Sequence, residues 1–175
     1  QRLEIAHALA MHGEDRDDPQ LPLLLWHGME PAVAADPGRG VEIAAATPML
    51  KLVRFIARRL THDIESRPEG SELLAQLLLK FTEGAHARRH EILIGMTEAL
   101  EGWRKAPAPP SWPRVISRLE LSSRPDVGRL ANELSVVFGD GRAVDQLRQM
   151  VGDNRADLEA RRSALRALIA ARAEG

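Results

Sequence analysis

The sequence contains no cysteine and no tyrosine, and only three tryptophans and three phenylalanines among its 175 residues. Without cysteine, the chain can form no disulfide, thiolate nucleophile, cysteine-ligated zinc site or iron–sulfur cluster, and it cannot attach a c-type haem covalently. The shortage of aromatic and β-branched residues disfavours strands, whereas abundant alanine and leucine favour helices. We therefore expect an all-α protein.

An excess of one charge and long hydrophobic runs are also missing. The 24 basic and 25 acidic residues leave a formal charge of −1, so no overall field attracts nucleic acid or an anionic membrane. The longest apolar run, Leu21 to Trp26, is far shorter than the about 18 residues expected of a membrane-spanning helix. The chain begins at Gln1 on a helical pattern without a signal-peptide layout, which predicts that it is a piece of a larger protein.

The clearest helical pattern covers residues 48–60. At about 100° per residue, apolar side chains fall on one face and basic side chains on the other. The apolar ones are Met49, Leu52, Val53, Ile56 and Leu60, and the basic ones are Lys51, Arg54 and Arg58. This pattern predicts an amphipathic helix with a basic back.

Capping and helix-breaking residues divide the rest of the chain into further helices. We expect them over residues 3–12, 21–28, 38–46, 71–83, 85–103, 112–121, 125–138, 140–152 and 155–172. The block 21–26 is apolar on all sides and is expected to be buried, with Glu30-Pro31 breaking or restarting its helix. Helices 71–83 and 85–103 are expected to form an antiparallel pair.

Isolated acidic residues are expected to cap helices or to offset helix dipoles, rather than to form acid–base pairs. These are Asp36, Asp126, Asp140 and Asp157, with Asn154 as a further cap candidate.

A proline-rich stretch separates a larger first part from a smaller second part. Four of the seven residues from Pro107 to Pro113 are proline, which cannot continue a helix. The sequence therefore predicts a first helical part over residues 1–105, a stiff connector over 106–113 and a second helical part over 114–175.

An internal repeat is centred on Val53-Arg54-x-x-Ala57. Related patterns begin at Ala87, Val127 and Ala160, so the anchors are 34, 40 and 33 residues apart. Such spacing is typical of two-helix repeats, in which alanine allows close helix approach and stacking buries the apolar faces. The alternative is that helices rich in alanine, leucine and arginine produce these echoes by chance.

Two family resemblances add to this pattern. The segment 164–170, ALRALIA, together with Pro125-Asp-Val127 and the Val53 element, resembles HEAT-like repeats of the phycobiliprotein-lyase type, which form an all-α, right-handed superhelix of paired helices. The segments 18–31, 52–60 and 102–110, taken in order, resemble the helical-repeat region of planctomycete-type membrane-bound dehydrogenase proteins.

Proteins of this second family join a sugar-dehydrogenase-like propeller, a HEAT-like segment and a c-type cytochrome with a Cys-x-x-Cys-His site. The resemblance implies that this chain is a non-catalytic scaffold between such domains, in the periplasm or cell envelope. Its partners would be neighbouring domains of the same polypeptide or another protein. Haem c would belong to the parent protein, since this chain has no cysteine and offers no catalytic, cofactor-binding or metal-binding constellation.

The candidate interaction surface consists of an aromatic-histidine pair and the basic face of the central helix. Its residues are Trp26, His27, Lys51, Arg54, Arg58 and Arg59. Trp26 can stack on a neighbouring domain, or it can simply be a core tryptophan. The basic residues, with Arg67 and Arg88, can hold DNA phosphates, or they can be a salt-bridged face neutralised by Asp63, Glu65 and Glu69.

A metal site at His86 and His90 is a further alternative, because imidazoles at i and i+4 share one helix face. The two arginines between these histidines, Arg88 and Arg89, oppose the binding of a cation. The glutamate that follows the first histidine in the zinc-protease pattern is also missing. A solvated helix face is the simpler interpretation.

Overall fold

The computed structural model describes residues 2–119, 124–139 and 141–171. Within these ranges the chain forms ten α-helices and no strand, which confirms the all-α prediction. The helices are α1 (Arg2–Ala10), α2 (Leu21–Ala35), α3 (Pro37–Ala46), α4 (Leu50–His62), α5 (Glu69–Lys80), α6 (His86–Ala99), α7 (Trp112–Leu119), α8 (Pro125–Val137), α9 (Gly141–Gly152) and α10 (Leu158–Ala171).

The helices pack in sequence order along two rows. Every substantial contact joins helices that are adjacent or next but one along the chain. In one row α2 packs on α4, α4 on α6, α6 on α8, and α8 on α10; in the other, α1 packs on α3, α3 on α5, and α5 on α7. The α4–α6 interface is the most extensive, so the predicted central helix, α4, makes the largest contact of the larger row.

The predicted antiparallel pair of helices over 71–83 and 85–103 is wrong. The corresponding helices, α5 and α6, lie in different rows and share no substantial interface. The reason is that α5 packs on α3, α4 and α7, whereas α6 packs on α4 and α8. Short-range sequence spacing does not reveal which row a helix joins.

The second helix also differs from its prediction. α2 continues through Pro31 to Ala35, so Glu30-Pro31 neither breaks nor restarts it. Proline removes only one backbone hydrogen bond, to the carbonyl of His27, whose side chain is exposed. The apolar block at its start is only partly buried, because Leu23 and Leu24 are 45% and 64% exposed. These leucines remain exposed because α2 is the first helix of its row and has a row neighbour on one side only.

The main core runs from α1 to α8, and a small second core joins α9 and α10 to the end of α8. The second core contains Val136, Leu147 and Ala164. The proline-rich connector does not interrupt the main core, which includes Ala106 and Trp112. The backbone N–H of Ala106 donates a hydrogen bond of 2.9 Å to the carbonyl of Val137. The division into a first part over residues 1–105 and a second part over 114–175 stays a prediction.

Acidic caps account for several helix starts. The Asp36 carboxylate accepts a 3.0 Å hydrogen bond from the Arg39 backbone N–H at the start of α3. Asp157, rather than Asn154, accepts from the backbone N–H groups of the first turn of α10. Asp126 lies in the first turn of α8 and pairs with Arg124, and the predicted cap at Asp140 lies outside the described residues.

Thr47 connects four helices at the point where α3 ends. Its buried hydroxyl donates a 2.6 Å hydrogen bond to the carbonyl of Ala10 at the end of α1, and it accepts one of 3.2 Å from the Met49 N–H before α4. The guanidinium of Arg88 on α6 donates to the carbonyls of Thr47 and Ala44, at 2.7 and 2.8 Å. These hydrogen bonds satisfy buried backbone groups where three helices end or begin.

We expect Thr47→Val to lower the free energy of unfolding by about 1–3 kcal/mol, since the carbonyl of Ala10 then loses its hydroxyl donor without a change in side-chain volume. Urea unfolding followed by circular dichroism measures the loss. Thr82→Val is the matched control, because Thr82 is exposed and its side chain does not cap the following helical turn. Equal effects of the two substitutions would contradict a structural role for the buried hydroxyl.

Glu72 on α5 holds the end of the connector. Its carboxylate accepts hydrogen bonds from the Ser111 backbone N–H, at 2.9 Å, and from the Ser111 hydroxyl. Partial burial raises the pKa of Glu72, but the hydrogen bonds from Ser111 and Gln76 outweigh it and hold the pKa below the ordinary 4.5. The contact at Ser111 is therefore strongest when Glu72 is ionised.

Because the pKa of Glu72 is lower in the folded protein, its stabilising contribution is present above about pH 4.5 and is lost as the pH falls through the folded-state pKa. We expect Glu72→Gln to lower the melting temperature near neutral pH and to reduce its further fall in acid. Thermal melts between about pH 6 and about pH 3 measure this. The exposed Glu65→Gln serves as control, and an unchanged acid dependence in Glu72→Gln would contradict the assignment.

Candidate interaction surface around Trp26

Three of the predicted surface residues line one cleft on the larger helix row. The cleft has a volume of about 770 Å³ and lies between α2, the end of α4 and the end of α6. We call it the Trp26 cleft. Its lining residues are Trp26, Glu30, Arg58, Arg59, His62, Asp63, Glu98, Ala99, Glu101 and Trp103. Four carboxylates and two arginines make it a mixed-charge surface rather than a basic one.

Trp26 is held by packing between α2 and α4. Trp26 is only 4% exposed, and its ring centroid lies 6.0 Å from that of Phe55, with the two rings tilted by 37°. The Arg58 guanidinium lies 5.7 Å from the Phe55 ring centroid, a distance suited to a cation–π contact. Trp26 therefore contributes mainly to the core and presents only an edge to the cleft.

The arginines of α4 pair with acidic residues of the neighbouring helices. The Arg54 Nε donates a 2.6 Å hydrogen bond to Glu91 on α6, and this contact raises the pKa of Arg54. Arg54 Nη1 also lies 3.6 Å from Glu98, and Arg58 Nη1 lies 3.9 Å from the other oxygen of the same carboxylate. Row packing thus places glutamates of α6 directly opposite the basic back of α4.

Arg59 joins α4 to α2 and to the turn that follows α4. Its Nη1 donates a 2.8 Å hydrogen bond to Asp63, and its Nε lies 3.6 Å from Glu30 on α2. The hydrogen bond from Arg59 holds the pKa of Asp63 below its ordinary value. The predicted neutralisation is present at Asp63, and also at Glu69, which lies 3.7 Å from Arg67.

The remaining predicted surface residues lie away from the cleft. His27 and Lys51 are exposed but do not line the cleft. Backbone hydrogen bonds from Leu21 and Gln20 lower the pKa of Asp18, and the charge of Lys51 makes a smaller contribution. Arg88 lies half-buried against the end of α3, where it holds the two carbonyls described above. The structure therefore divides the predicted basic strip into separate, locally paired groups.

Trp103 is the main cleft residue that sequence reasoning did not include. It follows Gly102, whose φ of +80° reverses the chain after α6. This left-handed conformation favours glycine, so the Gly102-Trp103 pair was the signal available in the sequence. Glu98 and Glu101 were also missed, because a helical pattern does not indicate which carboxylates face the neighbouring row.

Two further clefts lie beyond Trp103. One, of about 450 Å³, lies between α6, α8 and α10 and shares Glu98, Glu101 and Trp103 with the Trp26 cleft. The other, of about 1180 Å³, lies between α8, α9 and α10. These openings flank the contact of α10 with α8, where Ser163 and Arg129 both hydrogen-bond to Glu133.

The histidine pair of α6 gains no metal-site geometry from the fold. His90 lies 3.7 Å from a carboxylate oxygen of Glu91 and 4.0 Å from one of Asp126. Within the described part of the chain, no three histidine, aspartate or glutamate side chains are grouped so that they could hold a metal ion.

Comparison with known proteins yields no relative for this chain. No family model matches it, and neither the curated proteins nor the solved structures provide a match. Among the helices that the structure describes, none combines the length and apolar character required to cross a membrane.

Proposed function

We propose that this chain is a non-catalytic, HEAT-like scaffold module of a larger protein, built as a right-handed stack of helix pairs that orients neighbouring domains. In the fullest form of the proposal, the neighbours are a sugar-dehydrogenase-like propeller and a c-type cytochrome domain. The observation that carries the scaffold proposal is the linear packing of the helices in two rows. A stack of this kind offers a long surface whose shape is set by contacts between neighbouring helices.

The sequence repeat supports this proposal because its anchors coincide with one row. Val53, Ala87, Val127 and Ala160 each lie within the first four residues of α4, α6, α8 and α10, respectively. A 33- to 40-residue period therefore corresponds to one step along the larger row. Sequence similarities that arise by chance would not be expected near the start of every second helix.

Close packing between helices of this row supports the same repeat. The alanines four places after three of the anchors, Ala57, Ala131 and Ala164, are at most 2% exposed. In α6 the equivalent position is Glu91, and Gly95 one turn later makes the close approach to Ala57 instead. Small residues thus recur where the row helices meet, as stacked repeats require.

The Trp26 cleft is the proposed contact surface for a neighbouring domain. It presents the half-buried Trp103 together with carboxylates and arginines, a combination suited to a polar protein interface with an aromatic contact. Glu98 and Arg58 form an ion pair within the cleft and largely neutralise each other. A partner can therefore bind there without having to supply a large compensating charge.

The alternative is a HEAT-like nucleic-acid-binding domain that uses the basic face of α4. The ion pairs of Arg54, Arg58 and Arg59 oppose it, because phosphates would have to displace carboxylates already in contact. Titration of the chain with duplex DNA over a range of salt concentrations distinguishes the two functions. Steeply salt-dependent binding that Arg58→Ala weakens would favour the alternative, and the scaffold proposal expects none.

The domain context is tested by determining the reading frame on both sides of this sequence. The fullest proposal expects a propeller upstream and a Cys-x-x-Cys-His site downstream. A frame that encodes different neighbouring domains would exclude the dehydrogenase context. This chain could still act as a scaffold between those domains. A frame that ends near both termini of this sequence would contradict the role as a module within a larger chain.

A further inference from the structure

The chain crosses from α6 to α7 in an extended segment rich in proline. Residues 104–110 read Arg-Lys-Ala-Pro-Ala-Pro-Pro, contain no helix or strand, and are called the proline segment below. Three of the last four residues are proline, which fixes φ near −65° and disfavours helical backbone in the residue before it. This composition favours the polyproline II conformation.

Burial along the proline segment repeats every third residue. The buried positions are Ala106 and Pro109, and the exposed positions are Arg104, Lys105, Pro107, Ala108 and Pro110. A polyproline II helix has three residues per turn, so residues three apart share one of its three ridges. One ridge is therefore packed on the helix stack, and the other two face outward. Arg104, Pro107 and Pro110 share an outward ridge.

The protein holds the proline segment in place at both ends. The Ala106 N–H donates to the carbonyl of Val137, as described above, and the Pro109 carbonyl accepts a 2.8 Å hydrogen bond from the Trp112 N–H. Between these contacts, the carbonyls of Pro107 and Ala108 accept no hydrogen bond from the described part of the chain. Because the segment is already ordered, a partner that binds it pays little conformational entropy.

Two basic residues open the proline segment. Arg104 and Lys105 are exposed, and neither forms an ion pair with any residue that the structure describes. Glu101, three residues before Arg104, is exposed and does not pair with it. These cations differ from the arginines of α4, which already contact carboxylates. A partner's carboxylates can therefore pair with them without displacing existing ion pairs.

We propose that the proline segment is the docking site of a second protein, one that recognises polyproline II through an aromatic-lined groove with an acidic rim. Pro107 and Pro110 have the Pro-x-x-Pro spacing that such grooves accept. Aromatic side chains of the groove pack on these two rings, and its carboxylates pair with Arg104 and Lys105. The third ridge stays on the helix stack, so docking requires no unfolding.

This docking site is separate from the contact surface proposed for a neighbouring domain. No residue of the proline segment lines the Trp26 cleft. The two contacts can therefore fail separately: variants of the proline segment test this proposal without removing a side chain of the cleft.

The experiment titrates the full chain with a panel of purified SH3-type and WW-type domains whose proline-binding grooves have acidic rims, by isothermal titration calorimetry. The test variants are Pro107→Ala with Pro110→Ala, and, separately, Arg104→Glu. Pro113→Ala is the matched control for proline, because Pro113 is exposed but lies in the first turn of α7. Arg155→Glu is the control for charge, because Arg155 is exposed between α9 and α10. Circular dichroism confirms that each variant is folded.

We expect at least one domain of the panel to bind the unmodified chain with a Kd below about 1 mM, and each test variant to weaken that binding about tenfold or more. Both controls should bind as the unmodified chain does. The absence of binding by every domain at about 1 mM would overturn the proposal. Binding that either test variant leaves unchanged, or that the controls weaken equally, would also overturn it, since the contact would then lie elsewhere.

Discussion

Gly95→Ala is expected to destabilise the protein by about 2–3 kcal/mol, even though alanine is a better helix former than glycine. A Cβ at Gly95 would lie 2.4 Å from the Arg54 carbonyl oxygen, 2.8 Å from the Ala57 Cβ and 2.9 Å from the Arg58 nitrogen. Two of these atoms belong to the backbone of α4, so a rotamer change cannot relieve the contact. The most extensive interface of the larger row would have to open.

Urea unfolding followed by circular dichroism measures this loss, and Gly28→Ala provides the control. Gly28 is also inside a helix, but nothing lies within 4 Å of a Cβ built there. That substitution should stabilise the protein by about 0.5–1 kcal/mol, through helix propensity alone. A stabilising effect at Gly95 as well would show that α4 and α6 do not approach as closely as described.

Ala164→Asp is expected to cost about 3 kcal/mol or more and to unfold α9 and α10 before the rest of the protein. Ala164 is 2% exposed and packs with Leu147 and Val136 in the second core. A carboxylate there would be buried among apolar side chains. Because this core is separate from the main one, the damage should remain local.

Tryptophan fluorescence makes this local unfolding measurable. Trp103 borders a cleft that α10 also lines, so the measurement uses a Trp103→Phe background. There the fluorescence of Trp26 and Trp112 reports on the rest of the stack, whereas far-ultraviolet circular dichroism reports on all helices. In Ala164→Asp the urea midpoint by circular dichroism should fall further than the midpoint by fluorescence. The control Leu165→Asp adds the same charge at an exposed neighbouring position and should change stability by within about 1 kcal/mol. Similar losses in both variants would contradict the placement of the second core.

Local features of the fold were predictable because local chemistry determines them. The caps at Asp36 and Asp157 and the apolar face of α4 follow from residue types at fixed spacing. The buried position of Ala164 follows from the same helical periodicity. These features depend on a single helix and its own turns.

Features that depend on the position of a helix in the stack were not predictable. The same leucine-rich sequence would be buried in a middle helix, but Leu23 and Leu24 are exposed because α2 begins its row. The ion pairs of Arg54 and Arg58 depend on which carboxylates of α6 face α4, and Trp103 reaches the cleft only through the chain reversal at Gly102. Such contacts join residues about 40 positions apart, beyond the range of any helical pattern.

Hydrogen exchange provides the most direct test of the scaffold proposal. Amide exchange is compared between this isolated chain and the same residues within the parent polypeptide. The proposal predicts slower exchange in the parent at residues 58–63 and 98–103, which border the Trp26 cleft. Residues 82–85, at the opposite end of α6, should exchange equally in both. Equal exchange at the cleft in the two forms would contradict docking of a neighbouring domain on this surface.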